Sequence, residues 1–148
     1  MSPPAYQLRP ACPADHAFLW LLKQQTMRPY VEKTWHRWID DEQKEWFARN
    51  FVPEKTQVIV VDGHDAGRVE VIRSSGDLTL ATIEISGEFQ RRGIGAAVVR
   101  DLQTEAKSAS RTLRLQVLKA NPRARKLYQR LEFRTVGETA THHLMSWP

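Results

Sequence analysis

Gln90-Arg91-Arg92-Gly93-Ile94-Gly95 is a stretch whose residue types and spacing suit the binding of an anion. It follows an apolar, β-branched run from Leu78 to Ile85 and leads into a helical pattern of Ile94, Ala97, Val98, Leu102 and Ala106. The first turn of a helix leaves backbone N–H groups without internal partners and carries the positive end of the macrodipole. Gly93 and Gly95 allow close approach of the backbone to a phosphate, and Arg91 and Arg92 add charge at the rim. No glycine pair spaced by four residues and followed by Lys and Ser or Thr occurs, which excludes a P-loop. A dinucleotide loop is excluded too, because Val98 stands at the third glycine position and about seven residues separate Ile85 from Gly93.

The second chemical candidate is Glu84, set between Ile83 and Ile85. An unpaired carboxylate there is expensive unless it faces a wet cleft, so Glu84 is either a proton-accepting group or a carboxylate held by a structural arginine. Glu70, one strand earlier, is the reserve candidate.

These residues need elements to position them. Tyr6 to Arg9 reads as a strand, followed by a turn and a helix whose buried side is assigned to Phe18, Trp20, Leu21 and Leu22. Met27 to Trp38 mixes aromatics and charges without a period and is expected to be a loop or irregular helix. Asp40 to Asn50 reads as a helix, and Gln57 to Val61 and Ala66 to Arg73 as a hairpin around Asp62-Gly63. Leu78 to Ile85, the helix from Ile94 to about Ser108, and Thr112 to Leu118 form a βαβ unit with parallel strands. Asn121-Pro122 caps a last helix with Ala124, Leu127, Tyr128 and Leu131 on one face. Strands at Phe133 to Val136 and His142 to Trp147 close the chain, where His142 and His143 read as surface residues.

At 148 residues the chain reads as one domain spanning 1–148. The lone Cys12 forms no internal bridge and reads as a small packing residue, and no Cys/His cluster has zinc spacing, so no metal is expected. Neither a signal peptide nor an apolar run of about 20 residues is present, which gives the expectation of a soluble cytoplasmic protein without a membrane partner. The formal net charge of +5 and pI near 9.7 favour an anionic partner. No Lys/Arg block or aromatic platform points to nucleic acid, and a phosphate-rich cofactor accounts for the bias with fewer assumptions.

The order β-α-α-β-β-β-α-β-α-β-β, the Gln90-to-Gly95 loop after the fourth strand, and Asn121-Pro122-x-Ala124-x-x-Leu127-Tyr128 followed by Leu131-x-Phe133 together resemble the GCN5-related N-acetyltransferases, the GNAT superfamily. The resemblance covers essentially the whole chain and departs at Glu132, where many members have Gly. It implies an α/β acyl-CoA N-acyltransferase fold: a mixed, mostly antiparallel sheet with a central parallel pair and about four flanking helices. It implies acetyl-CoA as cofactor and acetyl transfer to a primary amine by direct attack. The Gln90–Ala96 loop would hold the pyrophosphate, the backbone of Ile83 to Ile85 the acetyl carbonyl, and Asn121 and Ala124 the pantetheine arm. Glu84 would be the base acting through water and Tyr128, a core aromatic by periodicity alone, the acid at the sulfur. The stretch with Tyr30, Glu32 and Trp35 would cover the acceptor, unless its indoles are core anchors.

Glu32, Glu70 and Glu84 give the further expectation of a cationic small-molecule amine. Members of the superfamily are often dimers, so a homodimer is an open expectation. The rival readings are a non-catalytic acyl-CoA-binding or regulatory module, a protein lysine or N-terminal acetyltransferase, and a basic nucleic-acid binder.

Overall fold

The structure, a computed structural model, describes residues 4–148. The elements in chain order are β1 (Gln7–Pro10), α1 (His16–Trp35), α2 (Asp40–Asn50), β2 (Gln57–Val61), β3 (His64–Arg73), β4 (Asp77–Ile85), α3 (Ile94–Ser108), β5 (Thr112–Leu118), α4 (Pro122–Arg130), β6 (Arg134–Glu138) and β7 (His142–Trp147). One seven-stranded sheet runs in the order β1-β2-β3-β4-β5-β7-β6. The β4–β5 pair is parallel and every other neighbour is antiparallel. That is the mixed sheet with a central parallel pair and four helices that the sequence pattern implied.

Strand alternation sorts side chains onto two faces. Ile59, Val69, Leu78, Leu113 and Met145 join Ile94, Val98 and Leu102 of α3 and Tyr128 of α4 in the larger core. Val58 and its neighbours on the other face meet Leu19 and Leu22 of α1 and Phe47 of α2 in a smaller one. No helix among the described residues is long and apolar enough to cross a membrane.

Three local expectations are corrected. The stretch from Met27 does not break into a loop: α1 continues through Pro29 to Trp35 and ends at His36 in the left-handed region, φ 63°. Proline removes the hydrogen bond to Gln25, but both residues are exposed, so water can satisfy the freed carbonyl. Leu19, not Leu21, carries the buried side of α1, and Leu21 is 52% exposed. Cys12 is exposed rather than packed.

At the end of α4, Glu132 takes φ 72° while Phe133 N donates to Tyr128 O at 3.0 Å. A non-glycine residue there costs about 1 kcal/mol. The helix end is left-handed and the next strand is intact.

Candidate active site

The turn between β4 and α3 builds the anion-binding mouth. Gln90 Nε2 donates to Ile85 O at 2.8 Å and ties the turn to the end of the strand. Arg91 and Gly93 both take left-handed backbone, φ 64° and 77°, which curls the chain so that α3 begins at Ile94. Gln90, Arg91, Arg92 and Gly93 are exposed. The first amide to reach a carbonyl of the turn is Ala97 N, donating to Gly93 O at 3.0 Å, so the N–H groups of Ile94, Gly95 and Ala96 stand at an open helix terminus. Arg92 lies over the Phe89 ring at 5.2 Å, which keeps its stem against the protein.

A cleft opens beside this mouth because the central strands part. The parallel register runs from Asp77↔Thr112 to Leu80↔Leu115 and stops, although β4 continues to Ile85 and β5 to Leu118. The cause lies on the opposite edge of β4. There Glu70 pairs with Thr82 and Val71 with Leu80, so Ala81 is an unpaired bulge residue. A bulge bends its strand and reverses the facing of the residues beyond it. Leu78 and Leu80 point into the larger core before it, whereas Ile83 and Ile85 do so after it. Glu84 is thereby turned to the face of α1 and α2, where a cavity of about 990 Å³ lies between the parted strands and the two helices.

Glu84 is 5% exposed. Arg68, its cross-strand partner, donates from Nε to Glu84 Oε1 at 2.8 Å, and no described residue hydrogen-bonds the second carboxylate oxygen. Arg68 also approaches Glu70 Oε1 at 3.5 Å, and Thr56 donates to that same oxygen at 2.8 Å. Glu84 lines the cavity and Glu70 does not, so the two acids form one network with Glu84 at the front. Gly67 makes this packing possible, since a Cβ there would lie 2.2 Å from the Glu84 carbonyl oxygen.

From the β5 side, Asn121 caps α4 by accepting from Ala124 N at 3.2 Å, and this sets the helix so that Asn121, Ala124 and Tyr128 all reach the cavity. Tyr128 packs edge-to-face on Phe133 with centroids 5.7 Å apart. Burial pushes its hydroxyl up to about 12, and the hydroxyl makes no hydrogen bond to a described residue. It is a protonated donor throughout the neutral range.

The structure thus brings Ile83, Glu84, Asn121, Ala124, Tyr128 and Trp35 around one cavity. Ile85 and the residues from Gln90 to Ala96 lie outside its lining, at the adjoining mouth. Tyr30 and Glu32 fall on other sides of α1, with Glu32 held by Arg28 at 2.7 Å. Lys23, Met27, Val31 and Trp35, four residues apart, form the stripe that does face the cavity. His142, expected on the surface, also lines it, and burial lowers its imidazole.

Two functional residues escaped sequence reasoning. Arg68 is assigned by strand register, legible only once the bulge is known. Lys23 was hidden by its own charge, although it stands beside Leu19 and Leu22 on the buried side of α1. Its ammonium sits 4.1 Å from the Trp46 ring centroid and makes no hydrogen bond to a described residue.

Comparison with known proteins adds to this geometry. Residues 22–146 match a family model described as an acetyltransferase (GNAT) domain. No curated protein matches the chain by sequence. Among solved structures, an acetyltransferase from Thermus thermophilus superposes with a TM-score of 0.75 at 18% identity, covering 100% of this chain and 99% of that one. The PaiA N-acetyltransferase from Thermoplasma acidophilum, in complex with coenzyme A, gives 0.74 at 14% identity, covering 96% and 98%. The ribosomal-protein-S18-alanine N-acetyltransferase from Escherichia coli gives 0.68 at 20% identity, covering 97% and 94%.

Proposed function

The chain belongs to the GNAT acetyltransferase family, and from that premise we propose that it moves the acetyl group of acetyl-CoA onto the primary amine of a small molecule by direct attack. The observation that carries this reading is the junction of an open, donor-rich helix mouth with a cavity holding both a carboxylate oxygen and a phenol hydroxyl that no described residue hydrogen-bonds. The residues fit the cofactor: the amides of Ile94, Gly95 and Ala96, with Arg91 and Arg92 at the rim, suit its pyrophosphate. Asn121 and Ala124 suit the pantetheine arm, and the backbone from Ile83 to Ile85 the acetyl carbonyl. When bound, acetyl-CoA supplies an activated acetyl thioester.

The acceptor must first lose a proton. An alkyl ammonium titrating near 10.4 needs about 4.6 kcal/mol for this at pH 7. Glu84 is the group for it, its free oxygen holding an ordered water that relays the proton, while Arg68 and Gly67 fix the carboxylate and its backbone. Tyr128 donates its hydroxyl proton toward the leaving sulfur. A cavity of about 990 Å³ is of the size that holds a small ligand.

Thiol release from acetyl-CoA over a panel of amines tests the proposal. We expect amine-dependent release, and Tyr128→Phe should lower kcat by about 100-fold while the Kd for CoA stays within about twofold. Tight CoA binding without turnover of any amine would replace this reading by a non-catalytic acyl-CoA module.

A further inference from the structure

Resting on the acetyl-transfer reading, we propose that the acceptor is an amino-carboxylate, its carboxylate held by the ammonium of Lys23 while its amine lies at Glu84. Lys23 is 8% exposed, lines the cavity together with Glu84, and has three N–H donors with no hydrogen-bond acceptor among the described residues. The Trp46 face at 4.1 Å offsets part of the cost of burying this charge. The ammonium therefore faces the cavity with its donors open to a ligand, and an acceptor carboxylate seated there would pair with it.

Glu84 attracts this ammonium but makes no ion pair with it among the described residues, and Arg68 holds its Oε1 at 2.8 Å. Arg68 is held by Glu84 and Arg37 by Glu42, and of Lys23 and Arg49 only Lys23 is buried, so one ammonium matches the single charge of a carboxylate. A polyamine fits worse. A second ammonium placed beside Lys23 would meet like charge at short range. Of the three glutamates that suggested a cationic acceptor only Glu84 lines the cavity, and Glu42 and Glu45, which also line it, are exposed on α2. Met27, Val31 and Trp35 continue the Lys23 stripe as an apolar wall, which suits an apolar side chain on the acceptor.

The test compares matched acceptors with the intact protein: phenylalanine against phenethylamine, methionine against 3-(methylthio)propylamine, and spermidine. We expect kcat/KM at least about tenfold higher for the acids. Lys23→Met should erase that preference, lowering kcat/KM for the acids at least about tenfold more than for the decarboxylated amines, with the difference lying in KM. Lys23→Arg, which keeps the charge, should restore part of it. Turnover of the amines or spermidine in preference to the acids, or an equal effect of Lys23→Met on both classes, overturns this inference and leaves acetyl transfer standing. Calorimetric binding of the acids to the CoA-loaded protein, lost in Lys23→Met but without turnover, supports the Lys23 site and sinks acetyl transfer instead. An absence of both binding and turnover overturns both.

Discussion

Lys23 illustrates at the scale of one residue how a binding group can weaken the fold that carries it. Burial lowers its ammonium to about 8 from 10.5, with Glu84 opposing the shift and Arg68 adding to it. Below pH 8 the folded chain therefore holds a charge that the unfolded chain keeps in water, at a cost of about 1–3 kcal/mol with solvent screening. Between 8 and 10.5 the folded state releases this proton while the unfolded state retains it, so stability rises with pH. Above 10.5 both states are neutral and the penalty is gone. Lys23→Met should raise the unfolding free energy by about 1–3 kcal/mol at pH 7 in urea titrations. The gain should shrink above pH 8 and vanish near 10.5. A variant less stable than the parent at pH 7 would mean that the ammonium is already satisfied in the native state. Tyr128 is the opposite case, since burial favours its neutral form, the one a proton donor needs.

Among the elements, β4 decides the site, and the bulge at Ala81 decides β4. The sequence identifies a strand from Leu78 to Ile85, the helix after it and the cap at Asn121, because each has a strong local cause: an apolar β-branched run, a 3.6-residue period, and an Asn-Pro pair. It does not identify the bulge, because an extra residue in one strand leaves no trace in composition. Strict alternation would send Glu84 the same way as Leu78 and Leu80, into the larger core. The β3–β4 contact is also tight at Gly67, where a Cβ would meet backbone that cannot rotate away. Gly67→Ala should destabilise the protein by about 1–3 kcal/mol and lower activity further than stability alone explains. Gly76→Ala, with nothing within 4 Å of its Cβ, should stay within about 0.5 kcal/mol of the parent. Equal melting behaviour of the two variants would remove close approach as the reason for glycine at 67.

For the molecule as a whole, the formal charge of +5 has a local outlet at the exposed Arg91 and Arg92 beside the mouth of α3. Replacing both by serine should raise the Kd for CoA by about tenfold at low salt. The difference should shrink toward about 0.5 M salt, because the helix amides remain while exposed charges are screened. An unchanged Kd in calorimetry would place the phosphates elsewhere. The sequence alone determined the order of the elements, the parallel pair and the glycine turn that opens α3, since helix periods, strand runs and capping residues act over a few neighbours. It also marked Glu84 and Tyr128 as residues of interest. Only the tertiary structure decided that Glu84 faces α1 and α2, that Arg68 holds it, that α1 runs through Pro29, and that Lys23 lines the same cavity without an ion pair among the described residues. Each of these depends on register, twist and packing between segments far apart in the chain, where the free energy of an arrangement belongs to the assembled sheet and helices and to no single stretch of it.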